Sequence, residues 1–96
     1  MGLTLLHSEG CAFCATAEEI VRRLAAEFDV DVVRMDLATP DAAELAQRAG
    51  VLFPPGILLD GKLVCYGRPS ERRLRRELQR RATRPDLGAA QSGAPS

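Results

Sequence analysis

The sequence predicts an α/β domain, a four-stranded mixed sheet flanked by helices in the order βαβαββα. Three observations predict it. Apolar residues recur at helical spacing between 11 and 28, directly after a short apolar run at 3–7. The segment 39–50 opens on a capping threonine with a proline behind it and closes on a glycine. Two apolar runs at 57–59 and 62–66 are joined by Asp60-Gly61, the strongest short hairpin signal.

Residues 3–7, LTLLH, read as a short buried strand, and Ser8-Glu9-Gly10 as the loop that leaves it. From Cys11 the period becomes helical. Phe13, Ala17, Ile20, Leu24 and Phe28 step by four, three, four and four, which is one helix face. The predicted helix begins at or just before Cys11. Glu18 with Arg22, and Glu19 with Arg23, are spaced as i,i+4 ion pairs in the favourable order. Residues 30–36, VDVVRMD, are β-branched and partly alternating, so they read as a second strand.

Thr39-Pro40-Asp41 then supplies an N-cap, a proline at the first helical position and an early acid. The helix it starts runs through Ala42, Leu45, Ala46 and Ala49 and stops at Gly50. Phe53-Pro54-Pro55-Gly56 breaks the chain. Ile57-Leu58-Leu59 and Lys62 to Tyr66 form the hairpin, and Pro69-Ser70-Glu71 starts a last helix with a core stripe of Leu74, Leu78 and Ala82. A right-handed crossover makes strands one and two parallel, and the hairpin adds two antiparallel strands. Residues 1–82 are expected to be the single domain. Residues 83–96, TRPDLGAAQSGAPS, lack apolar periodicity and read as a disordered C-terminal tail.

Composition narrows the function classes. The chain has 96 residues, 46% apolar, with no tryptophan. No apolar run approaches the roughly 18 residues of a membrane helix, so no membrane role is expected. The opening LTLL is too short for a signal peptide and meets His7, Ser8 and Glu9 at once, so the expected location is cytoplasmic. Thiols there are kept reduced, and an odd count of three cysteines argues against a disulfide framework. Net charge is zero, but residues 1–60 hold ten acids and four bases, and residues 61–96 hold three acids and nine bases.

The pair Cys11 and Cys14, in CAFC, carries the candidate chemistry. At a helix amino end, unpaired N–H groups and the macrodipole stabilise a thiolate, which is the nucleophile of disulfide exchange. The spacing sets Cys14 one turn on, close enough to close a small disulfide ring. Cys11 would attack a substrate disulfide and Cys14 would resolve the mixed disulfide. Glu9 opposes this, because a nearby negative charge raises a thiol pKa. A metal or iron–sulfur site is the competing reading. A tetrahedral zinc site needs four ligands, and only Cys65 and His7 are further soft candidates, so no metal is assigned unless a dimer pools two pairs.

Here the sequence resembles the thioredoxin superfamily, most closely its glutaredoxin-like branch, over residues 3 to about 82. The resemblance rests on CAFC after strand one, the element order, a proline before strand three, and PGILLDGKLV at 55–64. It implies a thiol–disulfide oxidoreductase with no organic cofactor, acting on a protein or small-molecule disulfide. It also implies a cis-proline facing the CxxC, with Phe53, Pro54, Pro55 and the surface aromatic Phe13 as substrate contacts. Counting back from Asp60-Gly61 favours Pro55 as the cis residue over Pro54. Pro54 would then precede it without an N–H for substrate. Ser8 stands where dithiol glutaredoxins carry a base, and Cys65-Tyr66-Gly67-Arg68-Pro69 replaces their glycine pair and acids. The thioredoxin tryptophan before the motif, and Gly-Pro inside it, are missing too. Either glutathione or a flavoprotein disulfide reductase therefore remains open as the reductant.

Other residues have plainer alternatives. Phe13 is either a substrate-contacting aromatic or the first rung of the helix core. Cys65, at the end of strand four, is a third redox thiol or a glutathionylation site or, as favoured, a small buried strand residue. His7 is an acid/base near the site or, as favoured, a hydrogen-bonded or solvated histidine. The arginines at 68–84 form a solvated face or dock a partner. No aromatic residue interleaves with them as nucleic-acid binding would require. The non-enzymatic alternative is a metal or cluster carrier, or a partner-docking domain.

Overall fold

The computed structural model describes residues 1–82, and the expected tail at 83–96 lies outside the described residues. The elements are β1 (Gly2–His7), α1 (Cys14–Phe28), β2 (Asp31–Asp36), α2 (Pro40–Ala49), β3 (Gly56–Leu59), β4 (Lys62–Tyr66) and α3 (Glu71–Ala82). The sheet order is β2-β1-β3-β4, with β1 parallel to β2 and antiparallel to β3, and β3 antiparallel to β4. The expected mixed sheet is present. Among the described residues, no helix is long and apolar enough to cross a membrane.

Strand alternation divides the core between the two sheet faces. Leu3, Leu5, Ile57 and Leu59 pack with Ala17, Ile20, Val21, Leu24, Leu74 and Leu78 of α1 and α3. Leu6 and Leu58, from the intervening positions, pack with Ala42, Ala46 and Val51 on the α2 side. All four residues of β3 are buried, as a central strand covered on both faces requires. One irregularity redirects a side chain. Ile57 pairs with Cys65 but Leu58 pairs with Leu63, so Val64 is an extra residue in β4. This bulge lets Val64 and Cys65 both meet the α1/α3 core.

Helix ends follow the sequence signals with one exception. The Ala42 N–H donates to the Thr39 hydroxyl at 3.4 Å, Asp41 sits in the first turn of α2, and Gly50 closes the helix at φ 88°. The exception is α1, which starts at Cys14 and not at or before Cys11. Gly10 takes φ 77°, the Cys11 N–H donates to the Ser8 carbonyl at 3.3 Å, and Phe13 stays non-helical at φ −109°, ψ 5°. A turn therefore carries the chain around the corner before the helix begins.

Two packing expectations also change. Phe13 is 44% exposed, so the core face of α1 starts at Ala17. Ala82 is exposed, and α3 buries only Leu74 and Leu78. Eight residues at 100° each rotate a side chain by roughly 80° from its starting face, which carries Ala82 off the stripe begun at Leu74. The i,i+4 pairs expected within α1 are replaced by bridges between elements. Glu18 pairs with Arg34 of β2, and Arg23 donates to both oxygens of Glu71 on α3 at 2.9 and 3.1 Å. Arg75 reaches back to Glu27 at 2.7 Å. Strand β2 and helix α3 thus supply the partners that the next turn of α1 was expected to give.

Candidate functional site

Strand register gathers the site residues at one end of the sheet. Leu6 pairs with Gly56, and Gly56 with Tyr66. The loop leaving β1, the residues entering β3 and those leaving β4 therefore share an end. Two backbone bonds fasten it: Leu37 N–H to the His7 carbonyl, and Gly67 N–H to the Pro55 carbonyl, both at 2.8 Å. His7 is the last residue of β1 and is half-buried.

Cys11 and Cys14 are joined as a disulfide with their Cα atoms 5.4 Å apart. Cys14 is the first residue of α1, so the bond ties the Cys11 sulfur to the start of the helix although Cys11 itself precedes it. The first N–H groups of a helix have no partner within it. Phe13 provides no side-chain cap, and no acid occupies the first turn. Nothing in that turn therefore competes with a sulfur anion for those donors and for the positive end of the helix dipole. Both cysteines are partly exposed and accessible from outside.

The Pro54–Pro55 bond is cis, so Pro55 is the cis residue, as the count from Asp60-Gly61 favoured. Pro55 is buried and Pro54 half-buried. Phe53, 53% exposed, stacks edge-on against Tyr66 with ring centroids 5.3 Å apart. Gly67 lies beneath that ring, where an added Cβ would come within 3.0 Å of it, and its φ of 75° favours glycine. Leu52, 78% exposed, extends the apolar surface, which continues as a groove of about 390 Å³ between α2 and the segment 50–54. Sequence reasoning missed Leu52 and Tyr66. The apolar run Val51-Leu52-Phe53 just ahead of two prolines was the available signal for Leu52.

Cys65 shares this end of the sheet by register, but its side chain enters the α1/α3 core and is 7% exposed. Burial pushes its thiol pKa up, against the lowering influence of a backbone hydrogen bond from Ser70 and of the Arg73 charge. An inward, protonated sulfur is a packing group, the favoured reading of this residue. Among the described residues, no three His, Cys, Asp or Glu side chains cluster as metal ligands.

A family model described as the thioredoxin domain matches residues 1–79. The chain belongs to the thioredoxin family. A curated relative, a probable thioredoxin from Archaeoglobus fulgidus, is 25% identical over 88 residues, covering 92% of this chain and 97% of its own. Among solved structures, thioredoxin 1 from Thermosipho africanus superposes with a TM-score of 0.61 at 15% identity, covering 84% of this chain and 98% of that one. Glutaredoxin from E. coli superposes with a TM-score of 0.52 at 23% identity, covering 70% and 85%. These likenesses fix a thioredoxin fold. A thioredoxin-family domain with a CxxC pair at disulfide distance points to redox function.

Proposed function

We propose that this protein is a cytoplasmic thiol–disulfide oxidoreductase that reduces a protein or small-molecule disulfide. The observation that carries the reading is the Cys11–Cys14 disulfide at the uncapped start of α1, at the same sheet end as Pro55. In the reduced protein the Cys11 thiolate attacks one sulfur of the substrate disulfide. The other substrate sulfur leaves as a thiolate and takes a proton. The Cys14 thiolate then attacks the Cys11 sulfur of the mixed disulfide, releasing the second substrate thiol. Two electrons pass to the substrate, and the protein is left as the Cys11–Cys14 disulfide. Two electrons from outside return it to the dithiol, either from two glutathione molecules, which leave joined as one glutathione disulfide, or from a flavoprotein disulfide reductase. Phe13, Phe53, Pro54 and Pro55 form the surface over which substrate is laid. Pro54 has no N–H, so substrate main chain is held there by carbonyl acceptors and apolar contact.

The test is trapping. A Cys14→Ser variant cannot resolve and should accumulate a mixed disulfide through Cys11 that dithiothreitol releases. The Cys11→Ser variant should accumulate none and should reduce no disulfide. Turnover by Cys11→Ser at the wild-type rate would refute the assignment.

A further inference from the structure

The arginines of α3 are not evenly matched by acids. On the side facing α1, Arg75 meets Glu27 and Glu71, and toward the hairpin Arg81 meets Asp60. Arg68, Arg72 and Arg76 are all exposed, and none makes an ion pair with a described residue. Arg73, also exposed, has only the Val64 carbonyl at 3.4 Å. Arg72 and Arg76 are one turn apart, and Arg73 and Arg76 are three residues apart, so these like charges are neighbours on one face. Such spacing weakens an isolated helix, and the Glu77 carboxylate, whose charge reaches Arg76, is already paired with Arg80.

The position of this face gives it meaning. Arg68 follows Gly67, whose N–H is bonded to the Pro55 carbonyl. The stripe therefore begins at the redox end of the sheet, beside the exposed ring of Phe53, and runs away from it along α3. We propose that it is a docking track for an acidic polypeptide segment adjoining the disulfide of a protein substrate. The proposal rests on the oxidoreductase reading and narrows it to one substrate class. The track fits an extended chain: Arg72 and Arg76 are about 6 Å apart along the helix axis. Alternate side chains of an extended segment are spaced by roughly 6.6 Å. A segment with an acid at every second residue can place successive carboxylates against successive guanidiniums, each a charge-assisted contact. No aromatic residue lies between Arg68 and Ala82, and Phe53 at the head of the stripe is packed edge-on against Tyr66, so the track itself offers bases no stacking platform.

The test separates docking from chemistry. The full chain with Cys11→Ser and Cys14→Ser is titrated with a fluorescent peptide holding an intrachain disulfide followed by aspartates at alternate positions. The control peptide carries asparagines there. The aspartate peptide should bind about tenfold more tightly at low salt, and the preference should vanish at high salt. Arg72→Gln with Arg76→Gln should abolish the preference, and Arg72→Lys with Arg76→Lys should keep most of it. The salt titration needs no variant and decides the matter if the glutamine form misfolds. Equal affinity for the two peptides overturns the proposal. So does tighter binding of duplex DNA through the same arginines. Reduction of both peptides at one rate by the wild-type dithiol would sink the track and leave the oxidoreductase reading standing. An acid preference in binding, with no reduction of either peptide, would do the reverse.

Discussion

At the scale of single residues, the site depends on positions where side chain and backbone demand different things. Gly67 is the clearest case. It combines a left-handed φ of 75° with an aromatic ring 3.0 Å from where a Cβ would stand, and its N–H holds Pro55. Gly67→Ala should therefore cost about 1–2 kcal/mol, the penalty for an L-residue in that conformation, and push Phe53 off Tyr66. Urea denaturation reads the first effect. The emission of Tyr66, the sole tyrosine with no tryptophan to mask it, reads the second. Unchanged stability and emission would mean that the ring and the turn are looser than described. The sequence showed Gly67 only as a departure from a glutaredoxin pattern. Its role depends on Phe53, fourteen positions earlier, and such a contact leaves no local signature. The pairing of Cys11 with Cys14 and the cis bond before Pro55 were legible because short motifs mark both positions. Leu52 was not, because an exposed leucine before a turn resembles any other apolar residue.

At the scale of elements, periodicity and capping chemistry were reliable wherever the chain itself decides. Thr39, Pro40 and Gly50 bound α2 as their types require, and Asp60-Gly61 turns the hairpin. The start of α1 was misplaced by three residues, because Gly10 and the Ser8–Cys11 turn compete with helix geometry there. The surface ion pairs were misassigned for a different reason: α3, distant in sequence, supplies Glu71 to Arg23. That bridge gives an acid-dependent term. The hydrogen bond from Arg23 holds the Glu71 carboxyl below the usual glutamate range, helped by Arg75. A carboxyl depressed in the folded state stabilises above its unfolded pKa, and the contribution disappears as pH falls through the folded value. Glu71→Gln should therefore lower the urea midpoint at neutral pH, by a margin that shrinks as the pH is brought down through the acid range. An equal deficit across that range would assign the loss to packing rather than to charge.

At the scale of the whole molecule, the fold separates chemistry from cohesion. Hydrophobic clusters on both sheet faces hold the helices, and one end of the sheet gathers the loops that carry Cys11, Cys14 and Pro55. Helices flanking the sheet were legible in advance, but the division of Leu3 and Leu5 from Leu6 between its two faces comes from the structure. The β4 bulge was not readable, although it sends the third thiol inward and leaves two sulfurs at the surface. The proposed chemistry requires the Cys11 sulfur, tied to the uncapped start of α1, to be an activated nucleophile. The direct measurement is the pH dependence of iodoacetamide alkylation of the reduced native protein, each cysteine followed by mass spectrometry. Cys11 should react first, with an apparent pKa below the ordinary thiol value, while Cys65 stays protected until the protein unfolds. If Cys11 reacts with an ordinary thiol pKa and no faster than Cys14, the helix start does not activate it and it is not the attacking sulfur.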